Sequence, residues 1–563
     1  MRTKRALLGR GETPGATRIT RRDFLKIGGA GFAGATVLGA LPGCGVFSQG
    51  GGQQGGGGGN SVVWNIGDTI RDLNSMTTTD SASTDILVNV MSGLYRLDPN
   101  TKPVPDMAES VDISSDKLTY TFKLRDGIKW SNGDPVTSQD FKYAWMRAID
   151  PDTAGQYAYI ITTFIKGANE FNTGKGSADA VAIQTPDEKT LEVTLVAPSP
   201  FWLGLTSFFT YLPQKQSFVE KQGDQFAQNA DALLYNGPYL LTKFNPTEGT
   251  TFAKNKDYWN ASNVAVQSAD GKIVKEQDTA VNLYESGDID EIELTSEYVP
   301  QYKDSPAFQT KTFFATFYMV GNYDLPFFQN ANIRKAFQLG FDRDTLVNKI
   351  LNNGSVAATG LIPDGLAGPG KQTFREAEGP TMPGFDAQQA KELFQKGVQE
   401  LGNNPSIELL AYDDSTARDI ATYLQSQFED NLGANISIKV QPFDRKLELE
   451  SNGQFQLSWQ GWIADYDDPM TFLDLFVSDS SFNTQKYSND RYDTLVNGAK
   501  QETDFAKRMD MLMEAEKVLV EQDAGVAPIY FDGRSYLVRP FITRFVNHPY
   551  GGGRDISLWT VKG

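Results

Sequence analysis

The chain has 563 residues, 40% of them hydrophobic and 12% aromatic, which is enough for two or three domains with buried cores. Its formal net charge of −18 argues against nucleic acid or anionic lipid as the main partner, because both would repel an acidic surface. A single cysteine, Cys44, and a single histidine, His548, exclude an intramolecular disulfide and a Cys/His zinc cluster. A Ser-His-Asp triad would have to use His548, which lies fifteen residues from the C-terminus. We consider a catalytic role less favoured and expect His548 to be a surface or turn residue.

The N-terminal segment is typical of an export signal. Residues 20–26 contain paired arginines followed by Asp-Phe-Leu-Lys and resemble the twin-arginine motif. The uncharged residues 27–43 are too short and glycine-rich for a stable membrane-spanning helix, and Leu41-Pro-Gly-Cys44 resembles a lipobox. We therefore predict a signal peptide at 1–43, a lipidated Cys44, and a flexible Gly-rich tether over 44–60.

The first part of the mature chain combines strands, helices and turns. Residues 61–65 predict a strand, and apolar spacing over 84–94 predicts a helix. Alternation over 118–124 predicts a further strand, followed by Asp-Gly and Asn-Gly turns. Thr137-Ser-Gln-Asp140 forms a capping box, which predicts a helix that ends before Pro151.

The second half of the chain predicts a parallel α/β unit. A helix extends from a cap at Asp386 to Gly402, and strands at 407–411 and 436–440 flank a helix that ends at Gly433. Residues 455–460 alternate as a strand, and the loop 461–472 that follows carries three carboxylates and several aromatic residues. Because ligands bind at the carboxyl ends of strands in open α/β sheets, we predict the mouth of a binding cleft at this loop.

Ordered motifs along residues 61–563 resemble the extracellular solute-binding proteins of family 5, the peptide-transporter lipoproteins. Each motif is short, and their shared order carries the resemblance. The motifs are Ser92-Gly-Leu-Tyr-Arg-Leu97, Pro103-Val-Pro-Asp-Met-Ala-Glu109, Tyr120-Thr-Phe-Lys-Leu-Arg-Asp-Gly-Ile-Lys-Trp-Ser-Asn-Gly133, Asn236-Gly-Pro-Tyr239, Lys254-Asn-Lys-Asp-Tyr-Trp259, Leu283-Tyr-Glu-Ser-Gly-Asp-Ile-Asp290 and Tyr487-Ser-Asn-Asp-Arg-Tyr-Asp493.

The resemblance implies an α/β fold of the periplasmic-binding-protein-like type II, with two lobes, a hinge and an inserted third domain. By motif position, lobe one would comprise 61–92, 214–314 and 531–563. The inserted domain would be 93–213, and lobe two would be 315–530.

The resemblance also implies the ligand contacts. In similar oligopeptide binders, an aspartate in a Trp-x-Ala-Asp-Tyr segment holds the α-ammonium of the peptide, and Asp465 matches it. The backbone of Gly461, Trp462 and Ile463 would pair with the peptide, as would the stretch containing Asp80, Ser81 and Ala82 across the cleft. Other positions match the family's pocket lining: Tyr239, Tyr318, Phe443, Trp459 and Tyr530. Asp467 and Asp468 we interpret as solvated loop residues, since a run of charges usually faces solvent.

Trp459 departs from the family pattern, because enteric members carry a basic residue near it that helps hold the carboxyl terminus of short peptides. The preference of those members for a particular peptide length therefore cannot be assumed for this chain. An aromatic pocket could also bind an oligosaccharide, because aromatic faces stack on sugar rings. A nickel chelate is a further alternative within the fold, although one histidine makes direct imidazole ligation difficult. A carboxylate-pair hydrolase is less favoured because nothing in the sequence marks a matched pair, and a structural spacer would bind no small ligand.

The sequence thus predicts a binding protein of an ABC importer, not an enzyme, with no cofactor and no metal. We expect a monomer, anchored by lipid to the outer face of the cytoplasmic membrane, that delivers peptide to a permease and its ATPase subunits. No nucleic acid is expected as a partner.

Overall fold

The computed structural model describes residues 60–562, so the predicted signal peptide, Cys44 and nearly all of the tether lie outside the described residues. The chain forms a mixed α/β structure in which long strands alternate with surface helices. The strands are β1 (Ser61–Asn65), β2 (Tyr95–Leu97), β3 (Pro103–Pro105), β4 (Ala108–Ile113), β5 (Thr119–Leu124), β6 (Ile183–Asp187), β7 (Thr190–Thr194), β8 (Tyr239–Asn245), β9 (Gly249–Lys254), β10 (Ser268–Lys272), β11 (Glu291–Leu294), β12 (Phe308–Gly321), β13 (Val356–Ala357), β14 (Ser406–Tyr412), β15 (Asn435–Gln441), β16 (Leu457–Ile463), β17 (Ala527–Val538), β18 (Ile542–Arg544) and β19 (Thr560–Val561).

The helices vary from single turns to the 18-residue helix that follows β14. They are α1 (Ser81–Val90), α2 (Ser138–Ala148), α3 (Tyr159–Thr162), α4 (Ala168–Asn172), α5 (Trp202–Leu205), α6 (Gln216–Gln222), α7 (Gln277–Ser286), α8 (Val299–Tyr302), α9 (Pro326–Gln329), α10 (Ala331–Leu339), α11 (Arg343–Thr345), α12 (Phe374–Glu378), α13 (Ala387–Leu401), α14 (Ser415–Leu432), α15 (Phe443–Ser451), α16 (Met470–Leu473), α17 (Asp490–Gln501) and α18 (Phe505–Glu516). Among the described residues, no helix is long and apolar enough to cross a membrane.

One large sheet runs through the molecule in the order β15-β14-β16-β12-β17-β11-β1-β10-β9-β8, with β13 paired to β17. Strands β12 and β17 are long, and both take part in the two halves of this sheet. Their antiparallel pairing is interrupted between Thr312 and Thr316. Such an irregularity bends a strand pair and increases its twist, so the two halves of the sheet meet at this point.

A smaller antiparallel sheet, β4-β5-β7-β6, lies within the segment predicted as an inserted domain. Its core is strongly aromatic, because the indole of Trp202 contacts Tyr120, Phe122, Trp145 and Tyr211 with ring centroids 4.7–6.4 Å apart. Helix α2 closes this core, and its N-cap is Thr137, whose backbone N–H donates to Asp140 Oδ2 at 2.9 Å. These large aromatic side chains belong to the same buried hydrophobic cluster as Val62 and Trp64 of β1 in the large sheet.

Most of the predicted elements are confirmed. The strand at 61–65, the capping box at Thr137 and the parallel β14–α14–β15 unit occur as expected. Helix α1 starts earlier than predicted, at Ser81, because Asp80 accepts a hydrogen bond from the Ser83 backbone N–H at 2.9 Å and caps the helix. The lobe boundaries at 314/315 and 530/531 stay predictions, although they fall at the irregularity in the β12–β17 pairing.

Candidate functional site

A cavity of about 510 Å³ lies beside β16, at the end where the predicted binding loop begins. Its wall combines residues of β16 and α15 with residues of the predicted inserted domain and with Thr79, which precedes the cap of α1. The described lining residues are Thr79, Gln156, Tyr157, Tyr159, Tyr318, Tyr412, Phe443, Leu447, Glu448, Glu450, Ser451, Gln460, Gly461, Trp462, Leu475, Ser481, Phe482 and Thr484.

Asp465 lies directly behind this wall. Its side chain is buried, and its Oδ2 accepts a 2.6 Å hydrogen bond from the hydroxyl of Tyr159, a cavity-lining residue. Burial raises the pKa of Asp465 from 3.8 to about 7, and the hydrogen bond from Tyr159 only partly opposes this. Asp465 has no salt-bridge partner among the described residues, although a buried carboxylate is costly without a cation. Among the described residues, Asp465 therefore has no cation that would offset the cost of its ionised form.

Thr471 holds this loop in place from the start of α16. Its Oγ1 accepts a hydrogen bond from the Asp465 backbone N–H at 3.1 Å and another from Trp462 Nε1 at 3.3 Å. The single hydroxyl thus fixes the carboxylate loop and the indole of the strand together. Sequence reasoning did not single out Thr471, because nothing in its spacing marks a side chain that reaches back six residues.

Strand β16 presents one free edge next to the cavity. It pairs with β12 along its whole length, from Leu457 opposite Gly321 to Ile463 opposite Ala315. On its other side it pairs with β14 only at Leu457 and Ser458. Residues 459–463 therefore have no strand partner on that side within the described part of the chain, and an unpaired edge can accept an added strand.

Gly461 is required where β16 passes the ring of Phe317. A Cβ built at this position would approach Phe317 Cε1 to 2.5 Å, much closer than ordinary packing permits. The glycine allows the strand and the ring to lie in contact, so the backbone at 461 reaches the cavity wall.

The predicted aromatic residues separate into three groups. Tyr318, Phe443 and Trp462 line the cavity. Trp459 and Tyr530 lie behind it, each with its ring centroid within 5.5 Å of that of Phe317.

Tyr239 forms the third group and lies elsewhere, fully buried in the β8–β9 part of the sheet, where its hydroxyl donates to the Val266 carbonyl at 3.1 Å. It is thus not on the wall of this cavity, and its ligand contact, like that of Trp459 and Tyr530, stays a prediction.

Asp80, Ser81 and Ala82 lie at the start of α1, and their backbone contact with the peptide stays a prediction. Asp80 caps α1, and Ser81 and Ala82 belong to its first turn, so their backbone is helical. All three line a second cavity, of about 470 Å³, which also contacts Glu293, Arg534 and Arg554. Thr79, one residue earlier, lines the first cavity, so the two cavities approach each other at this point of the chain.

The expectation that Asp467 and Asp468 are solvated is wrong. Asp468 is 2% exposed and receives two hydrogen bonds from Arg508, at 2.7 and 2.8 Å. Asp467 accepts from the Ala367 backbone N–H at 2.8 Å, and burial raises its pKa. Both carboxylates anchor the loop that carries Asp465, which a charge pattern alone does not reveal.

The expectation that His548 lies at the surface is also wrong, because it is buried. Only 2% of it is exposed, and both ring nitrogens lack hydrogen-bond partners among the described residues. Burial lowers its pKa from 6.5 to about 4. It is therefore a neutral packing residue, and it lies outside both cavities.

Several lining residues have no signal in the sequence that separates them from core residues. Tyr157 lies in a 3-10 turn and Tyr159 is the first residue of α3. Their rings stack with centroids 5.8 Å apart, and they reach the cavity only through tertiary structure. Glu448 and Glu450 belong to a short helix that forms part of the cavity wall. Within residues 60–562, no group of His, Cys, Asp and Glu side chains is arranged to hold a metal ion.

Solved structures similar to this chain cover nearly all of it. One is the substrate-binding domain of an oligopeptide ABC transporter from Bacillus anthracis, 36% identical, with a TM-score of 0.81 over 90% of this chain and 99% of that one. Another is OppA of Listeria monocytogenes bound to peptide, 33% identical, with a TM-score of 0.79 over 90% and 100%. The fold is therefore the two-lobed type II periplasmic-binding-protein-like fold, and the chain is a solute-binding protein, not an enzyme.

Similar sequences lead to the same class. The dipeptide-binding protein DppE of Bacillus subtilis is 32% identical over 83% of this chain and 85% of its own length, and the oligopeptide-binding protein OppA of that organism is 32% identical over 80% and 84%. The model of the bacterial extracellular solute-binding proteins, family 5 (middle), matches residues 102–484. The chain belongs to this family, which confirms the resemblance seen in its motifs.

Proposed function

We propose that this protein binds oligopeptides in the cavity beside β16 and delivers them to the permease of an ABC importer. The α-ammonium group of the peptide lies at Asp465, and its first residues pair with the backbone of β16 at 461–463. No chemical step is required, since binding and delivery are the whole function.

The observation that carries this proposal is the buried Asp465 carboxylate, which has no cationic partner among the described residues. A primary ammonium group placed there would supply the missing charge and would favour the ionised carboxylate. The hydroxyl of Tyr159 already occupies Oδ2, so the carboxylate is oriented before any ligand arrives. An acetylated amino terminus would bring no charge and would leave the carboxylate unpaired.

Backbone hydrogen bonds between β16 and the peptide contribute the rest of the binding affinity. The edge of β16 at 459–463, unpaired within the described chain, offers backbone donors and acceptors that every peptide can match, whatever its sequence. The names of similar proteins support this ligand class, since two are called dipeptide-binding and oligopeptide-binding proteins and one solved structure holds a peptide.

The cellular setting is proposed from the N-terminal sequence. The twin-arginine motif would export the folded protein, and lipidated Cys44 would hold it at the outer face of the cytoplasmic membrane through the tether at 44–60. An anchored receptor of this kind is expected to work as a monomer beside the permease and its ATPase subunits.

An oligosaccharide is the second candidate, because Trp462 and Phe482 meet edge to face at 5.1 Å and form part of an aromatic wall. A neutral sugar would leave Asp465 without a cation and the edge of β16 without a backbone partner. Oligosaccharide is therefore a less favoured ligand class than peptide. For a nickel chelate no feature of the described residues gives specific support.

Calorimetry with matched hexapeptides tests the ligand class and its orientation. We expect a free amino terminus to bind at least tenfold more tightly than the acetylated form, whereas amidation of the carboxyl terminus serves as the control for charge in general. Equal affinities for the free and acetylated peptides would contradict the role of Asp465. Binding of oligosaccharides but of no peptide would replace the proposed ligand class.

Membrane fractionation tests the anchor separately. Cys44→Ala should release the protein from the membrane pellet without changing its affinity for peptide. A variant that stays in the pellet would show that a different segment attaches the protein.

A further inference from the structure

The cavity wall formed by α15 differs from the rest of the lining. Phe443 and Leu447 are four residues apart, so they lie on one helical face, which Glu450 shares. Glu448, next to Leu447 in the chain, lines the cavity from the side of that face. The wall therefore passes from apolar side chains to carboxylates within about two helical turns.

The apolar part of this wall is unusually exposed. Phe443 is 54% exposed and Leu447 is 40% exposed, and Phe482, on a different segment of the lining, is 37% exposed. These three are among the few large apolar side chains left open to solvent in the described structure, and all three line one cavity. Concentrated apolar exposure of this kind marks a surface that a ligand covers.

The charge of the lining has one sign. None of the described residues that line this cavity is Lys, Arg or His, whereas two of them, Glu448 and Glu450, are acidic. Both glutamates are ion-paired with basic residues of α15 outside the lining, so a cationic side chain of a ligand gains here only by replacing one of those partners, and an acidic one finds no cation in the lining.

The two glutamates differ in burial and in the strength of their ion pairs. Glu450 is buried, accepts from Ser458 Oγ at 2.5 Å, and is paired with Lys446, whose ammonium lies 4.1 Å from the ring centroid of Tyr412. Glu448 is 59% exposed, and its ion pair within the described residues is with Arg445, at 2.6 Å and one turn earlier on the same helix. An exposed pair of this type contributes little, so Glu448 can exchange its partner.

We propose that this wall is a subsite for a lysine or arginine side chain of the bound peptide. The methylene stem lies over Phe443 and Leu447, and the charged end reaches Glu448. This inference rests on the proposed peptide-binding function and narrows its ligand class to peptides that carry a basic residue. Lysine and arginine suit the wall because they combine an apolar stem with a cationic end.

A guest-residue series tests the subsite by calorimetry on protein stripped of co-purified ligand. The hosts are alanine hexapeptides with a free amino terminus, and the guest at positions two to five is lysine, norleucine or glutamate. Norleucine keeps the apolar stem and removes the charge. At one position we expect lysine to bind about tenfold more tightly than norleucine, and glutamate to bind more weakly than both.

Variants assign the effect to Glu448. Glu448→Gln should abolish the preference for lysine over norleucine, whereas Glu429→Gln, an exposed glutamate of α14 with the same change in charge, should preserve it. Phe443→Ala should lower the affinities for lysine and norleucine by the same factor, because it removes only the contact with the stem.

The outcomes separate this inference from the function it rests on. If all guests bind with equal affinity at every position, or if Glu448→Gln weakens lysine and norleucine peptides alike, the subsite is wrong while peptide binding stands. If no peptide of the series binds, the proposed function and the subsite both fall.

Discussion

Replacing Asp465 by asparagine should stabilise the unliganded protein and weaken peptide binding at the same time. Burial raises the pKa of Asp465 from 3.8 to about 7, and each unit corresponds to about 1.36 kcal/mol, so ionising the buried group costs up to about 4 kcal/mol. The folded state binds more protons than the unfolded state between these two pKa values, so the wild type loses stability as pH rises through this window. Asparagine, which can still accept from Tyr159, does not carry this cost.

Denaturant unfolding of the unliganded protein at pH 4 and pH 8 measures the first effect. We expect Asp465→Asn to gain up to about 4 kcal/mol over the wild type at pH 8 and almost nothing at pH 4. Asp510→Asn, an exposed carboxylate on α18, controls for the change in net charge. A variant that is less stable than the wild type at pH 8 would refute the inference that burial makes the ionised Asp465 costly.

Calorimetry at pH 8 measures the second effect. Removing one partner of a buried charge pair costs about 2–5 kcal/mol, so the affinity for a peptide with a free amino terminus should fall at least about thirtyfold. Wild-type affinity should also decline below pH 7, where Asp465 becomes protonated, and above about pH 8, where the peptide amine loses its proton. An affinity independent of pH between 5 and 7 would contradict ion pairing at this carboxylate.

Three further predictions concern buried titratable groups outside the cavity. Asp468→Asn should lower the free energy of unfolding by about 3–5 kcal/mol, because Arg508 loses its buried partner; a loss below about 1 kcal/mol in urea unfolding would contradict this. Glu378→Gln should change stability by less than about 1 kcal/mol at pH 7, because burial and the neighbouring Glu516 raise the pKa of Glu378 and keep it uncharged; a loss above about 2 kcal/mol would show that it is ionised. The pKa of His548 falls from 6.5 to about 4 on folding, so the wild type loses stability as pH falls through this window. His548→Phe should remove this loss, which amounts to up to about 3 kcal/mol in the free energy of unfolding. Thermal unfolding at pH 4.5 and 7 checks this, and an unchanged acid loss would contradict it.

The position of Asp465 explains why a protein can keep a costly buried carboxylate. Its loop is fixed by Thr471 on one side and by the Asp468–Arg508 pair on the other, so it cannot move out to solvent without breaking buried contacts. If a cation binds at Asp465 as proposed, the stability lost in the unliganded state would be recovered, and ligand affinity would depend on the charge of the bound group.

Local sequence determined the regular elements and the family. The capping box at Thr137, the Asp386 cap of α13 and the period-2 strands β14 and β15 specify their structure through contacts within a few residues, so they are recovered from the chain alone. The order of short motifs was enough to identify the family. Asp465 was selected because the segment 462–466 matches the family's Trp-x-Ala-Asp-Tyr pattern, and its role in binding stays a prediction.

Only the tertiary structure decided which residues meet at the cavity. Tyr159 approaches Asp465 from 306 positions away in the sequence, and Tyr239, which a family position suggested, lies in another part of the sheet. Asp468 and His548 look solvated in the sequence but are buried, and the Asp467 side chain is only 18% exposed, because burial is a property of the surrounding chain and not of the residue type. The sequence by itself determined the class of protein and its elements, because these depend on local spacing. The partners and charge states of the site depended on long-range packing, which sets the dielectric surroundings and the hydrogen bonds of each group.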